Sequence, residues 1–181
     1  MKKLFTLKRI TILSAIMFLC LSSTAYAAKY AYGYSLDVIG YKLQGSNATY
    51  FTTNAAKYWN DAVNTRIGPG PTSKNLVAVM DYPDSFLGLY RPSPIVAGGV
   101  TQFSISINER TLKAYQIEKY PGQDWNQLAI NTTVHEFGHA LFLADLDASH
   151  LNVSIMSNGR DRFNHVPRKQ DINEVKAMRG Y

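Results

Sequence analysis

Two histidines four residues apart, His135 and His139, constrain this chain more than any other feature of its sequence. They lie in residues 124–143, a segment that begins with Asp124 as a helix cap and would form a helix about 30 Å long. On such a helix, side chains four residues apart share one face, so both imidazoles can bind a single Zn²⁺ ion. Glu136 lies too far round the helix to join them as a ligand, but it can act as a base on water.

The chain begins with the pattern of a secretory signal peptide. Basic residues precede an apolar run at residues 10–21, which is too short for a comfortable membrane span. Ala25 and Ala27 then occupy the small-residue positions that a signal peptidase requires. We therefore predict a signal peptide over residues 1–27 and one domain over residues 28–181. The domain is expected to be secreted and extracellular, without stable membrane association after cleavage.

Cleavage changes what the composition implies. The whole chain has a formal net charge of +6, but four cations and no acids precede the cleavage site, so the remainder carries only +2. Such a small charge does not predict a nucleic-acid partner. The single cysteine, Cys20, is also removed, so the exported chain would lack disulfides, as fits a bacterial exoprotein. Its stability must come from a hydrophobic core or a bound metal.

Helical and strand-like segments alternate along the rest of the chain. Residues 54–66 and 168–180 carry apolar side chains at helical spacing. Residues 75–82 and 86–91 are apolar runs of strand length, and residues 100–108 alternate apolar and polar side chains, as a half-buried strand does. Together with the long helix, these elements predict an α+β or mixed α/β domain.

The region around the two histidines resembles the zinc site of the metzincin metallopeptidases. Their motif H-E-x-x-H-x-x-G-x-x-H is similar to HEFGHALFLAD, residues 135–145. Asp145 stands at the position of the third ligand, as in small bacterial enzymes of the snapalysin type. Residues 154–159, SIMSNG, resemble the methionine turn, with Met156 as its methionine. Residues 170–181 resemble the last helix of matrixin-like domains.

This resemblance implies that residues 28–181 are the single catalytic domain of a secreted zinc endopeptidase with a metzincin-like fold. That fold has a twisted, mostly parallel sheet of four or five strands, a long active-site helix and a C-terminal helix. The resemblance implies one catalytic Zn²⁺ ion, a protein or peptide substrate and a monomeric state.

The resemblance also assigns residues to the site. His135, His139 and Asp145 would hold the metal, Glu136 would be the general base toward zinc-activated water, and Met156 would pack beneath the metal. The residues expected to bind substrate are Leu87, Gly88, Leu89, Tyr90, Ser157 and Asn158.

Two questions stay open at the level of sequence. Phe142 stands where the family has glycine, and a left-handed backbone there would cost phenylalanine about 1–2 kcal/mol. Asp147, His150 and Glu174 are therefore alternative third ligands. The alternative function is a secreted, non-catalytic, zinc-containing binding module of the same fold, and a third is a zinc hydrolase acting on a non-protein amide such as a cell-wall peptide. A structural calcium ion is not indicated, because no Asp-rich loop of matching spacing is present.

Overall fold

The computed structural model describes residues 29–35, 38–96 and 99–180. The predicted signal peptide, residues 1–27, lies outside the described residues. The described chain is a mixed α/β structure with a five-stranded, mostly parallel sheet and four helices. In these described ranges, no helix is long and apolar enough to cross a membrane.

The described elements follow one another along the chain as strands β1 to β7 and helices α1 to α4. Their bounds are β1 Val38–Gln44, α1 Ala48–Ala62, β2 Arg66–Pro69, β3 Leu76–Met80, β4 Gly88–Pro92, β5 Ile95–Val96, β6 Gly99–Val100, β7 Phe103–Asn108, α2 Glu109–Lys119, α3 Trp125–Ala140 and α4 Lys169–Arg179.

The sheet has the strand order β2-β1-β3-β7-β4. The first four strands pair in parallel, and β4 pairs antiparallel with β7, with Tyr90 opposite Ile105. Parallel neighbours need a long crossover, and α1 supplies the one between β1 and β2. β5 and β6 form a separate two-stranded ribbon. The sheet class and the number of strands therefore agree with the prediction from sequence.

The strand β7 is more buried than its alternating sequence predicts. Phe103, Ile105 and Ile107 are buried, as expected, but Ser106 and Asn108 on the polar face are buried as well. The loop after β3 covers the end of this face, where Asn108 Nδ2 donates to the backbone oxygen of Asp84 at 2.7 Å. A half-buried strand over residues 100–108 was therefore wrong in its burial, and the strand begins at Phe103, since Val100 belongs to β6.

Helix α3 is enclosed by the rest of the domain. Every residue from Leu128 to Ala140 is buried, and the helix packs against α1, α2, β4 and β7. On the α1 side, the indole Nε1 of Trp59 donates a hydrogen bond to the backbone oxygen of Val134 at 2.8 Å. A helix that is buried on all sides is held in place by its neighbours, so the side chains it carries have little positional freedom.

Several boundaries differ from the sequence prediction. Helix α1 is Ala48–Ala62, whereas residues 54–66 were predicted, because the chain from Arg66 onward pairs with β1 as an edge strand. Helix α3 ends at Ala140 and does not reach residue 143. Strands β1 and β2 and helix α2 were not predicted.

Candidate metal centre

Helix α3 positions the two histidines of the motif. It begins after Asp124, whose Oδ1 accepts a hydrogen bond from the backbone N–H of Asn126 at 3.0 Å, as the predicted cap requires. His135 and His139 follow in the buried C-terminal half of the helix, and their ring centroids lie 4.9 Å apart. The spacing of the motif therefore places both rings on the same side of a fixed helix.

The turn after α3 brings an aspartate back to the two rings. The chain reverses at Phe142, whose φ is 73°, in the left-handed region. Asp145 Oδ1 then lies 3.1 Å from His135 Nε2 and 3.7 Å from His139 Nε2. One ligand atom from each of these three residues lies within 4.8 Å of the others. The group fits a zinc ion, since nitrogen and carboxylate oxygen bind zinc at about 2.0–2.2 Å.

The hydrogen bonds of the two rings point their free nitrogens at this aspartate. His135 Nδ1 lies 3.1 Å from the backbone oxygen of Ile155, and His139 Nδ1 lies 2.9 Å from the backbone oxygen of Leu143. A carbonyl oxygen can only accept, so each Nδ1 carries the proton and each Nε2 has a lone pair for a metal. Burial lowers the pKa of both imidazoles, that of His135 to about 3, which favours this neutral form.

The alternative third ligands lie apart from the group. Asp147 is exposed, and its Oδ1 accepts from the backbone N–H of Ser149 at 2.8 Å. Glu174 is buried on α4 and accepts from Gln170 Nε2 at 3.0 Å. Among the described residues, neither of these carboxylates, nor His150, belongs to the cluster of potential metal ligands.

Asp171, a buried aspartate on α4, holds the backbone segment that hydrogen-bonds to the ring of His135. Asp171 Oδ2 accepts hydrogen bonds from the backbone N–H of Ile155 at 2.9 Å and of Arg168 at 2.7 Å, and its Oδ1 accepts from the hydroxyl of Ser154. The backbone oxygen of Ile155 is the acceptor for His135 Nδ1. Asp171 thus fixes the segment that orients a candidate ligand, a role that supporting residues commonly have at zinc sites.

We expect Asp171→Ala to weaken zinc binding by about tenfold, because loss of an outer partner costs about 10–100-fold in metal affinity. The same change leaves two backbone N–H groups without an acceptor, at about 1–3 kcal/mol each. Asp171→Asn is the matched control: its amide oxygen can still accept, and its NH₂ can donate to Ser154. Competition with a chromophoric chelator measures the zinc affinity, and urea unfolding measures the free energy of unfolding. Equal zinc affinity in Asp171→Ala and the wild type would rule out this supporting role.

Met156 packs against helix α3 at Gly138, which lies between the two histidines in sequence. It is fully buried, and its sulfur approaches α3 at Gly138, where an added Cβ would lie 2.3 Å from Sδ. The helix backbone and the methionine can come this close only because Gly138 has no side chain. This contact ties the methionine segment to the helix between the two histidines.

Glu136 lies beside the three potential ligands. Burial and the charge of Asp145 raise the pKa of Glu136 to about 8. Two groups oppose the shift: the guanidinium of Arg160 and the backbone N–H of Tyr90, which donates to the carboxylate. A buried carboxyl group beside the potential ligands is in a position to exchange a proton with a water molecule there, as a general base must.

Strand β4 approaches Glu136 directly at Gly88. A Cβ added to Gly88 would lie 2.5 Å from Glu136 Oε1 and 2.5 Å from Thr132 Cγ2. The edge strand can therefore run close to the carboxylate only with glycine at this position. The sequence analysis placed Gly88 in the substrate strand but missed this contact.

Arg160 is a buried cation near the site, and its charge there was not predicted from the sequence. It is buried, its Nε donates to Asn131 Oδ1 at 2.9 Å, and its Nη1 donates to the backbone oxygen of Ser157 at 3.0 Å. Burial lowers the pKa of Arg160 to about 9. Its charge acts on Glu136 and Asp145, so it offsets part of the negative charge of the centre.

A cavity of about 310 Å³ opens in front of the potential ligands. The residues that line it are Tyr30, Gly88, Leu89, Tyr90, His135, Glu136, His139, Asp145 and Asn158. Four of the six predicted substrate-binding residues are therefore in its wall. Leu87 instead packs against the hydrophobic core, and Ser157 is fully buried with its hydroxyl donating to the backbone oxygen of Asp147 at 3.2 Å.

Tyr30 is the lining residue that the sequence analysis missed. It lies just after the predicted cleavage site, far from the motif in sequence, and no pattern around it points to the cavity. Its ring centroid lies 5.1 Å from that of His139.

Comparison with solved structures shows a likeness of fold. No family model and no curated protein matches the chain. A chain of the GM1-bound form of the ECX AB5 holotoxin matches it with a TM-score of 0.57 and 16% sequence identity, over 85% of this chain and 86% of that chain. At this identity the likeness shows a shared fold and no more.

Proposed function

We propose that the protein is a secreted zinc-dependent endopeptidase with a metzincin-like fold, acting as a monomer on protein or peptide substrates. The observation that carries the proposal is the convergence of two imidazole Nε2 atoms and the Asp145 carboxylate beside a buried glutamate. Three protein ligands leave one coordination position for water or substrate, which distinguishes catalytic from structural zinc sites.

The residues around the cavity support hydrolysis more than simple metal binding. Zinc, when bound, makes a coordinated water more acidic and polarises a carbonyl group. Glu136 is placed to accept the proton of the attacking water and to pass it to the leaving amine. A protein that needed zinc only for stability would have no use for a buried carboxylate beside the ligands as a base.

The edge of the sheet supports a peptide as the substrate. Within the described part of the chain, β4 is the last strand of the five-stranded sheet and pairs with β7 on one side only. Its residues Gly88, Leu89 and Tyr90 line the cavity that contains Glu136. An extended peptide could add to this edge as a further strand, with its backbone hydrogen bonds supplying affinity and its scissile bond passing the metal.

The proposal is tested with Glu136→Gln, which keeps the shape of the side chain and removes its basicity. We expect one zinc ion per chain in both proteins, measured by atomic absorption after gel filtration. We expect the variant to lose at least about 100-fold in the rate of casein hydrolysis, since a positioned acid–base group contributes about 10²–10⁴-fold. In the wild type, a chelator should abolish hydrolysis, and added zinc should restore it.

Glu118→Gln is the matched control, because Glu118 is an exposed glutamate on α2 that pairs with Lys119. It should hydrolyse casein at the wild-type rate. Stoichiometric zinc without hydrolysis of casein, gelatin or peptide mixtures would instead favour the non-catalytic binding module. Hydrolysis that survives in Glu136→Gln would contradict the assigned base.

A further inference from the structure

The cavity wall contains a tyrosine to which the proposed hydrolysis gives no role. We infer that Tyr30 is a further catalytic residue: its hydroxyl donates a hydrogen bond to the substrate carbonyl oxygen as that oxygen becomes negatively charged. This inference rests on the proposed function, because it concerns the same site. A positioned donor that meets the developing charge stabilises the transition state more than the bound substrate, and so raises the rate.

The ring of Tyr30 contacts both a potential metal ligand and a residue of the edge strand. Its centroid is 5.1 Å from that of His139, at an interplanar angle of 45°, and 5.9 Å from that of Tyr90 on β4, at 72°. The residue lines the same cavity as Glu136 and Asp145 and is half-buried. Tyr30 therefore shares its cavity with the edge strand, the glutamate and the potential metal ligands, so a peptide bound on β4 would come within its reach.

The backbone of the N-terminal segment, residues 29–35, is fixed to the turn that carries the third ligand. The N–H of Tyr30 donates to the backbone oxygen of Phe142 at 2.8 Å. The Tyr90 hydroxyl donates to the backbone oxygen of Tyr32 at 2.9 Å, which ties the segment to β4 as well. The backbone that carries Tyr30 is thus fixed at two points, and this limits where its side chain can lie, as an effective donor requires.

The hydroxyl of Tyr30 is a donor that no described residue uses. Within residues 29–35, 38–96 and 99–180, no hydrogen bond engages it, in contrast to the hydroxyl of Tyr90. A tyrosine phenol is protonated at neutral pH, so this hydroxyl can donate a hydrogen bond.

Packing against His139 is the competing explanation for Tyr30, and Tyr30→Phe separates the two. Phenylalanine keeps the ring contacts with His139 and Tyr90 and removes only the hydroxyl. Tyr32→Phe is the matched control, since Tyr32 belongs to the same segment and contacts Tyr30 edge-on at 5.5 Å, yet it does not line the cavity.

The first measurement does not depend on hydrolysis. The protein is loaded with cobalt in place of zinc, and acetohydroxamate is titrated while the visible absorption of the metal is followed. A hydroxamate presents a negatively charged oxygen at the metal, so loss of one charge-assisted hydrogen bond should weaken its binding by about 10- to 100-fold in Tyr30→Phe. Tyr32→Phe should bind it as the wild type does. Unchanged hydroxamate affinity in Tyr30→Phe would overturn the inference.

The second measurement is steady-state hydrolysis of a peptide cleaved by the wild type. Tyr30→Phe should lower kcat by about 100-fold, as removal of an oxyanion donor does, with KM changed by no more than about twofold. Zinc affinity and the urea midpoint should stay at the wild-type values, and a loss of either in Tyr30→Phe would show a packing role and overturn the inference. Weaker hydroxamate binding in a protein that cleaves no peptide would contradict the proposed peptidase while keeping Tyr30 as a donor at the metal.

Discussion

Asp145→Ala is expected to weaken zinc binding by more than about 100-fold, because even the loss of an outer partner at a zinc site costs about 10–100-fold. The Asp145 carboxylate lies 3.1 and 3.7 Å from the two imidazole nitrogens, and it is the only charged group among the three potential ligands. Without it, two neutral imidazoles would have to hold the ion alone. Hydrolysis should fall below detection at zinc concentrations that saturate the wild type.

Asp147→Ala is the matched control for this experiment. Asp147 has the same chemistry two residues further on, but it is exposed, and its carboxylate accepts from Ser149. Its removal should leave zinc affinity within about twofold of the wild type, as is usual for an exposed side chain away from the site. Competition titration with a chromophoric chelator compares the variants on one scale. If Asp145→Ala kept its zinc while His150→Ala lost it, the third ligand would be His150.

The three-residue group could be predicted from sequence because most of its geometry is local. His135 and His139 share a helix, and the helix fixes their relation whatever surrounds it. Asp145 follows soon after the end of the helix, so the short segment that connects them can adopt only a few conformations. The backbone conformation of Phe142 could not be predicted in the same way. The sequence indicates the free-energy cost of a left-handed phenylalanine, but it does not tell whether contacts elsewhere in the fold compensate for that cost.

The unpredicted elements are those whose residues give weak local signals. Strand β2 is four residues long and contains glycine and proline, so only its pairing with β1 makes it a strand. Helix α2 follows β7 without a break, because Asn108 both ends the strand and caps the helix. Leu112 is its one buried residue, which leaves no apolar stripe to detect.

The contacts of Tyr30, Gly88 and Asp171 could not be predicted for a different reason. Each joins segments far apart in sequence: Tyr30 meets His139, Gly88 meets Glu136, and Asp171 meets Ile155. A single sequence carries the periodicity of each element but not the way the elements are placed against each other. Side chains that support or complete a site from another element therefore become visible only in the fold.

Removal of the Phe142 ring is expected to have a second large effect, on the free energy of unfolding. We expect Phe142→Ala to destabilise the protein by about 3–5 kcal/mol, the usual cost of removing a buried phenylalanine ring. The ring is 8% exposed and rests on Gly33, where an added Cβ would lie 2.4 Å from its Cγ. The cations of Lys29 and Arg179 lie over the ring at 5.7 and 5.8 Å from its centroid. The free energy contributed by packing this ring is thus larger than the free-energy cost of the left-handed backbone at Phe142.

Phe142→Gly should be the more stable of the two truncations, by about 1 kcal/mol, although it removes one more carbon. Glycine adopts a φ of 73° freely, whereas alanine keeps the left-handed cost of about 1–2 kcal/mol, partly offset by the greater freedom of glycine in the unfolded chain. Urea unfolding with excess chelator isolates this difference from the contribution of bound zinc.

Phe51 on α1 supplies the control, because it is fully buried in a helix of ordinary backbone. There the order should reverse, with Phe51→Gly less stable than Phe51→Ala by about 1 kcal/mol. Opposite orders of stability for the alanine and glycine variants at Phe142 and Phe51 would show that the turn after α3 keeps its left-handed backbone, although a non-glycine residue at position 142 disfavours that conformation. The same order at both positions would mean that the turn relaxes once the ring is gone. In that case the ring itself, through its contact with residues 29–35, would be what directs Asp145 toward the histidines.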